Sequence, residues 1–194
     1  MARRYYVDAI TATNAALRDT QRVNNDSTII AVTLLSWFER LNWESDTSLH
    51  SWKHHVQGAT QVLQMRGQVG LRTREGLEIF REVRAHAILH ALLAEDRVPE
   101  FIVQWSQALD HDTVQSPADQ LAIIACRTAL IRSASKTGDM TDERLSEMAE
   151  ELETDLVSWS DDCSSSKSSE ALRRAPGTFC WHDPLGACSC CCNR

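Results

Sequence analysis

The sequence predicts an all-α fold, an irregular helical array of about six to seven helices with a disordered C-terminal tail. Three observations carry this reading. Hydrophobic residues make up 43% of the 194, enough for one domain with its own core. Seven glycines and four prolines are too few for the frequent tight turns of an all-β protein. Apolar residues recur at spacings of three and four up to about residue 160, the period of an α-helix. The expected division is a helical domain over residues 1–160 and a disordered Ser/Cys-rich tail over 161–194.

The elements follow in order. "YYVDAITATNAALRDT" is a weakly patterned first helix. "STIIAVTLLSWFERL" is a strong one, capped by Asp26 or Ser27. Its apolar residues cover most of its circumference, so it is expected to be the central, most buried helix. "WKHHVQGATQVLQMRG" comes next, capped by Thr47 or Ser48, with Trp52, Val56, Ala59, Val62, Leu63 and Met65 as its apolar side. Gly67 stands where a left-handed C-terminal cap belongs. Gly58 costs this helix about 1 kcal/mol against alanine, which points to close approach of a neighbouring helix. After the turn "GQVGLRT", a long helix from Arg74 to Glu95 has a stripe of Leu77, Phe80, Val83, Ala87, Ile88, Ala91 and Leu92. "PEFIVQWSQAL" is a short amphipathic piece. Ser116 and Pro117 then open a helix through "LAIIACRTALIRSAS", since serine caps and proline fits the first turn. The last helix, "TDERLSEMAEELETDLVSW", is capped by Thr141. It carries a narrow seam of Leu145, Met148, Leu152, Leu156 and Trp159.

Composition excludes several function classes. A net charge of −7 gives no general attraction for phosphate backbones. The basic residues are scattered rather than gathered on one face. No run of 18 apolar residues exists to span a membrane. The N-terminus "MARRYYVDAI" lacks the apolar core of a secretory signal. Cys126 and Cys163 stand apart, and the other five cysteines crowd the tail. This is no disulfide framework, and the body reads as intracellular.

Three patterns bear on chemistry. His50 with His54, and His86 with His90, sit four residues apart, so each pair shares a helix face and has chelating spacing. Ser51 and Ala87 stand where a metalloprotease helix needs glutamate, and again where a ferritin-like Glu-x-x-His pair needs it. The pairs are therefore read as ordinary helix residues, with no metal, no cofactor and no catalytic residue assigned. A metal-binding helical enzyme using these four histidines is the alternative. His55 shares the face of Trp52, Ala59 and Val62 and reads as a core histidine bonded to a carbonyl or side chain. "CWHDPLGACSCCC" has soft thiolate ligands for zinc or copper(I), but its spacing matches no familiar zinc module, and it is read as unstructured tail. The acidic run from Asp139 to Asp162 mixes carboxylates with Leu, Met and Trp as an activation segment does. It is read instead as a solvated face over a buried seam.

Trp52, His55, Gly58, Ala59, Leu63, Arg66 and Gly67, as W-x-x-H-x-x-G-A-x-x-x-L-x-x-R-G, resemble the middle of the fungal-specific transcription factor domain. That helical regulatory region lies downstream of a Zn(2)-Cys(6) cluster in many fungal regulators. The flanking helices fall in the expected order, and the similarity covers residues 10 to 160. The six cysteines of the zinc cluster are missing here, so the resemblance implies a truncated regulator without its own DNA-binding module. It implies a nuclear, non-enzymatic role in transcription through protein contacts or an effector. The expected partners are other transcription regulators or a second copy of the chain, with no sequence-specific DNA binding and no membrane. An unrelated helical scaffold protein is the remaining alternative.

Overall fold

A computed structural model describes residues 2–42, 46–112 and 116–165. Seven α-helices lie among them: α1 (Ala2–Arg18), α2 (Asp26–Leu41), α3 (Asp46–Arg66), α4 (Arg74–Ala94), α5 (Glu100–Asp112), α6 (Pro117–Thr137) and α7 (Asp142–Ser165). A 3-10 turn, Gln68–Arg72, joins α3 to α4, and no strand occurs among the described residues. The all-α array is as the periodicity predicts. The tail from 166 to 194, with its five cysteines, lies outside the described residues. Helix α7 itself runs to Ser165, past the boundary expected at residue 160.

Side-chain pairs fix the directions of the helices. Asp26 at the start of α2 pairs with Arg66 at the end of α3, and Arg40 near the end of α2 lies over Trp52 near the start of α3. These two helices are therefore antiparallel. Helices α4 and α6 run parallel: Arg81 pairs with Asp119 at one end, and Lys136 donates to the Ala94 carbonyl at the other. Helix α7 returns antiparallel along α6, with the Trp159 indole N–H donating to the Pro117 carbonyl at 2.8 Å. The core gathers Ile29 and Val32 from α2, Ala59, Val62 and Leu63 from α3, Phe80 and Val83 from α4, Ile102 and Trp105 from α5, and Ala129 from α6.

The centre of this core is α4 rather than α2. Helix α4 packs against α2, α3 and α6, and buries nine residues, including Arg84 and His86. Helix α2 keeps one apolar face uncovered, with Ile30 43%, Leu34 60% and Leu41 68% exposed. Hydrophobicity around the whole circumference of α2 therefore does not mean burial around it. Met65, expected on the apolar side of α3, is 64% exposed, and Leu156 in the α7 seam is 44% exposed. The capping expectations divide. Asn25 holds the N-cap position of α2 without a side-chain bond, while Asp26 turns to Arg66. Thr141 does cap α7, accepting from the Arg144 N–H at 3.3 Å. Ser116 caps α6, and Asp119 completes a capping box behind Pro117. Thr47 and Ser48 lie inside α3, which starts at Asp46.

Two glycines outside the motif carry a tight crossing. A Cβ on Gly76 would stand 1.8 Å from the Gly70 carbonyl oxygen, so the first turn of α4 meets the backbone of the 3-10 turn directly. Only glycine fits such an approach.

Candidate functional site

The motif helix α3 is built for packing. Trp52 is 2% exposed, its ring 5.6 Å from that of His90, with the Arg40 guanidinium 5.7 Å from its centroid. Ala59 and Leu63 enter the core. Gly58 faces α2 as expected, but a Cβ there would meet only Val32 Cγ1, at 3.7 Å, an ordinary contact. The α2–α3 crossing therefore has room for one methyl group at this position. Arg66 Nη1 lies 2.5 Å from Asp26 Oδ1, and its side chain covers Gly70. The acid sits in the first turn of α2, where the helix dipole also favours it. Gly67 has the positive φ expected of it, 75°, but with ψ at 175° it is extended rather than a left-handed cap. His55 is half-buried with its Nε2 3.3 Å from the Tyr6 hydroxyl, which itself donates to Glu39. Burial lowers the His55 pKa, with Glu39 working against it, and burial beside the Glu39 carboxylate raises that of Tyr6.

His86 and His90 do not converge on one site. His54 is exposed, and the side chain of His50 lies outside the described residues. His86 and His90 turn to different helices. His90 lies against Trp52 of α3, while His86 Nδ1 is 2.6 Å from Ser36 Oγ of α2. The His86 Nε2 is 3.4 Å from Glu82, which also accepts from the Trp37 indole at 2.7 Å. The hydrogen bond from His86, helped by that from Trp37, holds the Glu82 carboxyl below its usual range against burial. Ser36, His86 and Glu82 thus have the order of a hydrolytic triad, but not its setting. Ser36 is 1% exposed and also lies 2.8 Å from the Thr33 carbonyl. No substrate carbonyl reaches a hydroxyl so enclosed. Among the described residues, no three His, Cys, Asp or Glu side chains gather at metal-binding distance.

A buried charge cluster joins α4 to α6. Asp119 accepts from Arg84 Nη2 at 2.6 Å, from Arg81 at 2.6 and 3.1 Å, and from the Ser116 hydroxyl at 2.7 Å. Burial works to raise its pKa. The bonds from the two arginines and Ser116 override this and hold the carboxyl well below the ordinary carboxylate range. Arg84 is 4% exposed, its guanidinium 5.4 Å from the Phe80 ring centroid. Helical periodicity alone does not reveal this cluster. Its available signal was the S-x-x-D spacing of Ser116 and Asp119, a capping-box pattern.

The candidate binding site is a cavity of about 540 Å³ between α5 and α6. Val98, Val103, Ile123 and Leu130 line it with Ser106 and Cys126, while Arg97, Glu100 and Arg127 stand at its charged edge. Burial pushes the Cys126 thiol up to about 11, against the pull of nearby Arg84, so it stays protonated at neutral pH. The cavity thus offers a largely apolar interior, with the Ser106 hydroxyl bonded to the Ile102 carbonyl.

The family model for the fungal specific transcription factor domain matches residues 1–179. The chain belongs to that family. The match begins ahead of the motif helix and extends beyond residue 160, so this domain takes in all seven helices of the fold. No curated protein and no solved structure matches the chain. A transcription-regulator-like role follows from membership. No described helix of this transcription factor domain is long and apolar enough to cross a membrane.

Proposed function

We propose that this domain regulates transcription in the nucleus through protein contacts or a small effector, without contacting DNA specifically and without enzymatic activity. The observation that carries the reading is the family match over residues 1–179. The open face of α2 supports the protein-contact part. Ile30, Leu34 and Leu41 are exposed at spacings of four and seven, one side of a helix that an amphipathic partner helix can cover. The Ser36 bond of His86 Nδ1 and the enclosure of Ser36 support a non-enzymatic reading. The net charge of −7 and the pairing of Arg66, Arg81, Arg84, Arg97 and Arg127 with carboxylates support the absence of specific DNA contact.

The test tethers the chain to a foreign DNA-binding domain upstream of a reporter. Expression is expected to change, and Leu34→Glu is expected to abolish the change while circular dichroism stays helical. A reporter indifferent to tethering would contradict the reading. So would a salt-resistant, sequence-selective shift of duplex DNA by the purified chain. Size-exclusion chromatography of the free chain then shows whether a second copy serves as the α2 partner.

A further inference from the structure

The cavity between α5 and α6 has the volume of a small-molecule site. Its interior is uncharged. The Ser106 hydroxyl donates to the Ile102 carbonyl at 2.7 Å, and the Cys126 thiol is buried at 6% exposure. The charge lies at the edge and is uneven: Arg97 and Arg127 against Glu100, whose Oε1 accepts from Gln104 at 2.9 Å. The N-terminal end of α5, beginning at Glu100, adds partial positive charge there.

The two edge arginines are already engaged by acids of one neighbouring segment. Arg97 Nη2 donates to Asp139, ahead of α7, at 3.0 Å. Arg127 donates to Glu151 at 3.1 Å and also to Asp155, both on α7. The Arg97 side chain is 54% exposed and that of Arg127 32%, and ion pairs so open to water hold weakly. A ligand anchored by an apolar body in the cavity competes for them at high local concentration.

We propose that this cavity binds a small apolar anion, its hydrocarbon body between α5 and α6 and its carboxylate or sulfonate on Arg97 and Arg127. Binding takes Arg127 from Glu151 and Asp155 and loosens α7. This deepens the effector part of the reading above and rests on it. Its test needs no reporter, so the two fail separately.

The probe is 8-anilino-1-naphthalenesulfonate, compared with N-phenyl-1-naphthylamine, the same ring system without the sulfonate. Both are titrated into the full folded chain and followed by fluorescence. The anionic dye is expected to bind at one site, and Arg97→Ala with Arg127→Ala to weaken it about tenfold or more while the neutral dye binds as before. Gln107→Trp, at an exposed lining position, is expected to block both dyes. Arg97→Ala alone, which leaves the α7 pairs intact, keeps the test valid if the double variant loses helix content. Hydrogen exchange over residues 142–165 is expected to quicken with the anionic dye and not with the neutral one. Anionic dye bound equally by the double variant, or by Gln107→Trp, would overturn the site. Exchange of α7 unmoved by bound dye would overturn the coupling.

Discussion

Helices α3 and α7 are similar in length, 21 and 24 residues, and are held by different forces. Helix α3 lies between α2 and α4 and buries Trp52, Val56, Ala59, Thr60, Val62 and Leu63. Helix α7 lies along α6 and buries Met148, with Leu145, Leu152 and Trp159 half-covered. The Arg127 ion pairs and the Trp159 indole hydrogen bond also attach it to α6. Salt screens exposed ion pairs, whereas it does not weaken apolar burial. A sequence can therefore contain two helices of equal regularity and specify a fixed one and a loosely attached one.

The largest expected effect sets one tryptophan of each helix against the other. Trp52→Ala should cost about 3–5 kcal/mol, the range for emptying a buried aromatic site. Trp159→Ala should cost less, about 1–2 kcal/mol, for one hydrogen bond and a partly covered ring. Chemical denaturation of both variants reads the difference. Equal losses would erase the contrast between the helices.

Asp119 tests whether the inner layer also depends on charge. Asp119→Asn leaves Arg84 buried without its counter-ion and should cost about 3–5 kcal/mol. The acid profile carries the same information. Asp119 and Glu82 are held below their usual pKa, so the folded state binds fewer protons than the unfolded chain. Their contribution is complete above about pH 4 and is lost as the pH falls through the folded values. Burial lowers His55 and His90, which contribute fully above about pH 6.5 and less below it. The melting temperature should thus fall in two stages on acidification, and Asp119→Asn should flatten the lower one. A melting temperature that holds or rises towards pH 4 would contradict these signs.

Gly58 sharpens the account of the α2–α3 contact. With Val32 Cγ1 3.7 Å from the place of a Cβ, Gly58→Ala should stabilise by about 0.4–1 kcal/mol. Gly58→Leu should destabilise by about 1–3 kcal/mol through overpacking. A leucine variant with an unchanged melting midpoint would remove Gly58 from the interface. The smallest expected effect belongs to Arg127→Ala, about 0–1 kcal/mol in global stability and less at high salt.

Much of the helix order was legible because the apolar spacing is local information. Ser116-Pro117 and Thr141 mark helix starts by side chains that act on their own backbone. Burial was legible only where a partner exists to cover the face. Leu34 and Phe80 are both apolar in sequence, yet among the described residues Leu34 stays 60% exposed while Phe80 is buried. The contact of Gly76 with Gly70 and the seating of Arg84 on Asp119 join segments that periodicity treats separately. The motif residues Trp52, Ala59 and Leu63 were legible as packing because a buried helix needs those sizes at those spacings. The α5–α6 cavity was not legible, since a void leaves no mark on the pattern of either helix.

The most direct test of this division is hydrogen exchange of the folded chain, resolved by segment, at 50 mM and 500 mM sodium chloride. Amides of residues 52–63 in α3 should stay strongly protected at both concentrations. Amides of residues 145–160 in α7 should exchange faster than those of α3 and faster still at high salt. Protection of α7 equal to that of α3, and indifferent to salt, would contradict it.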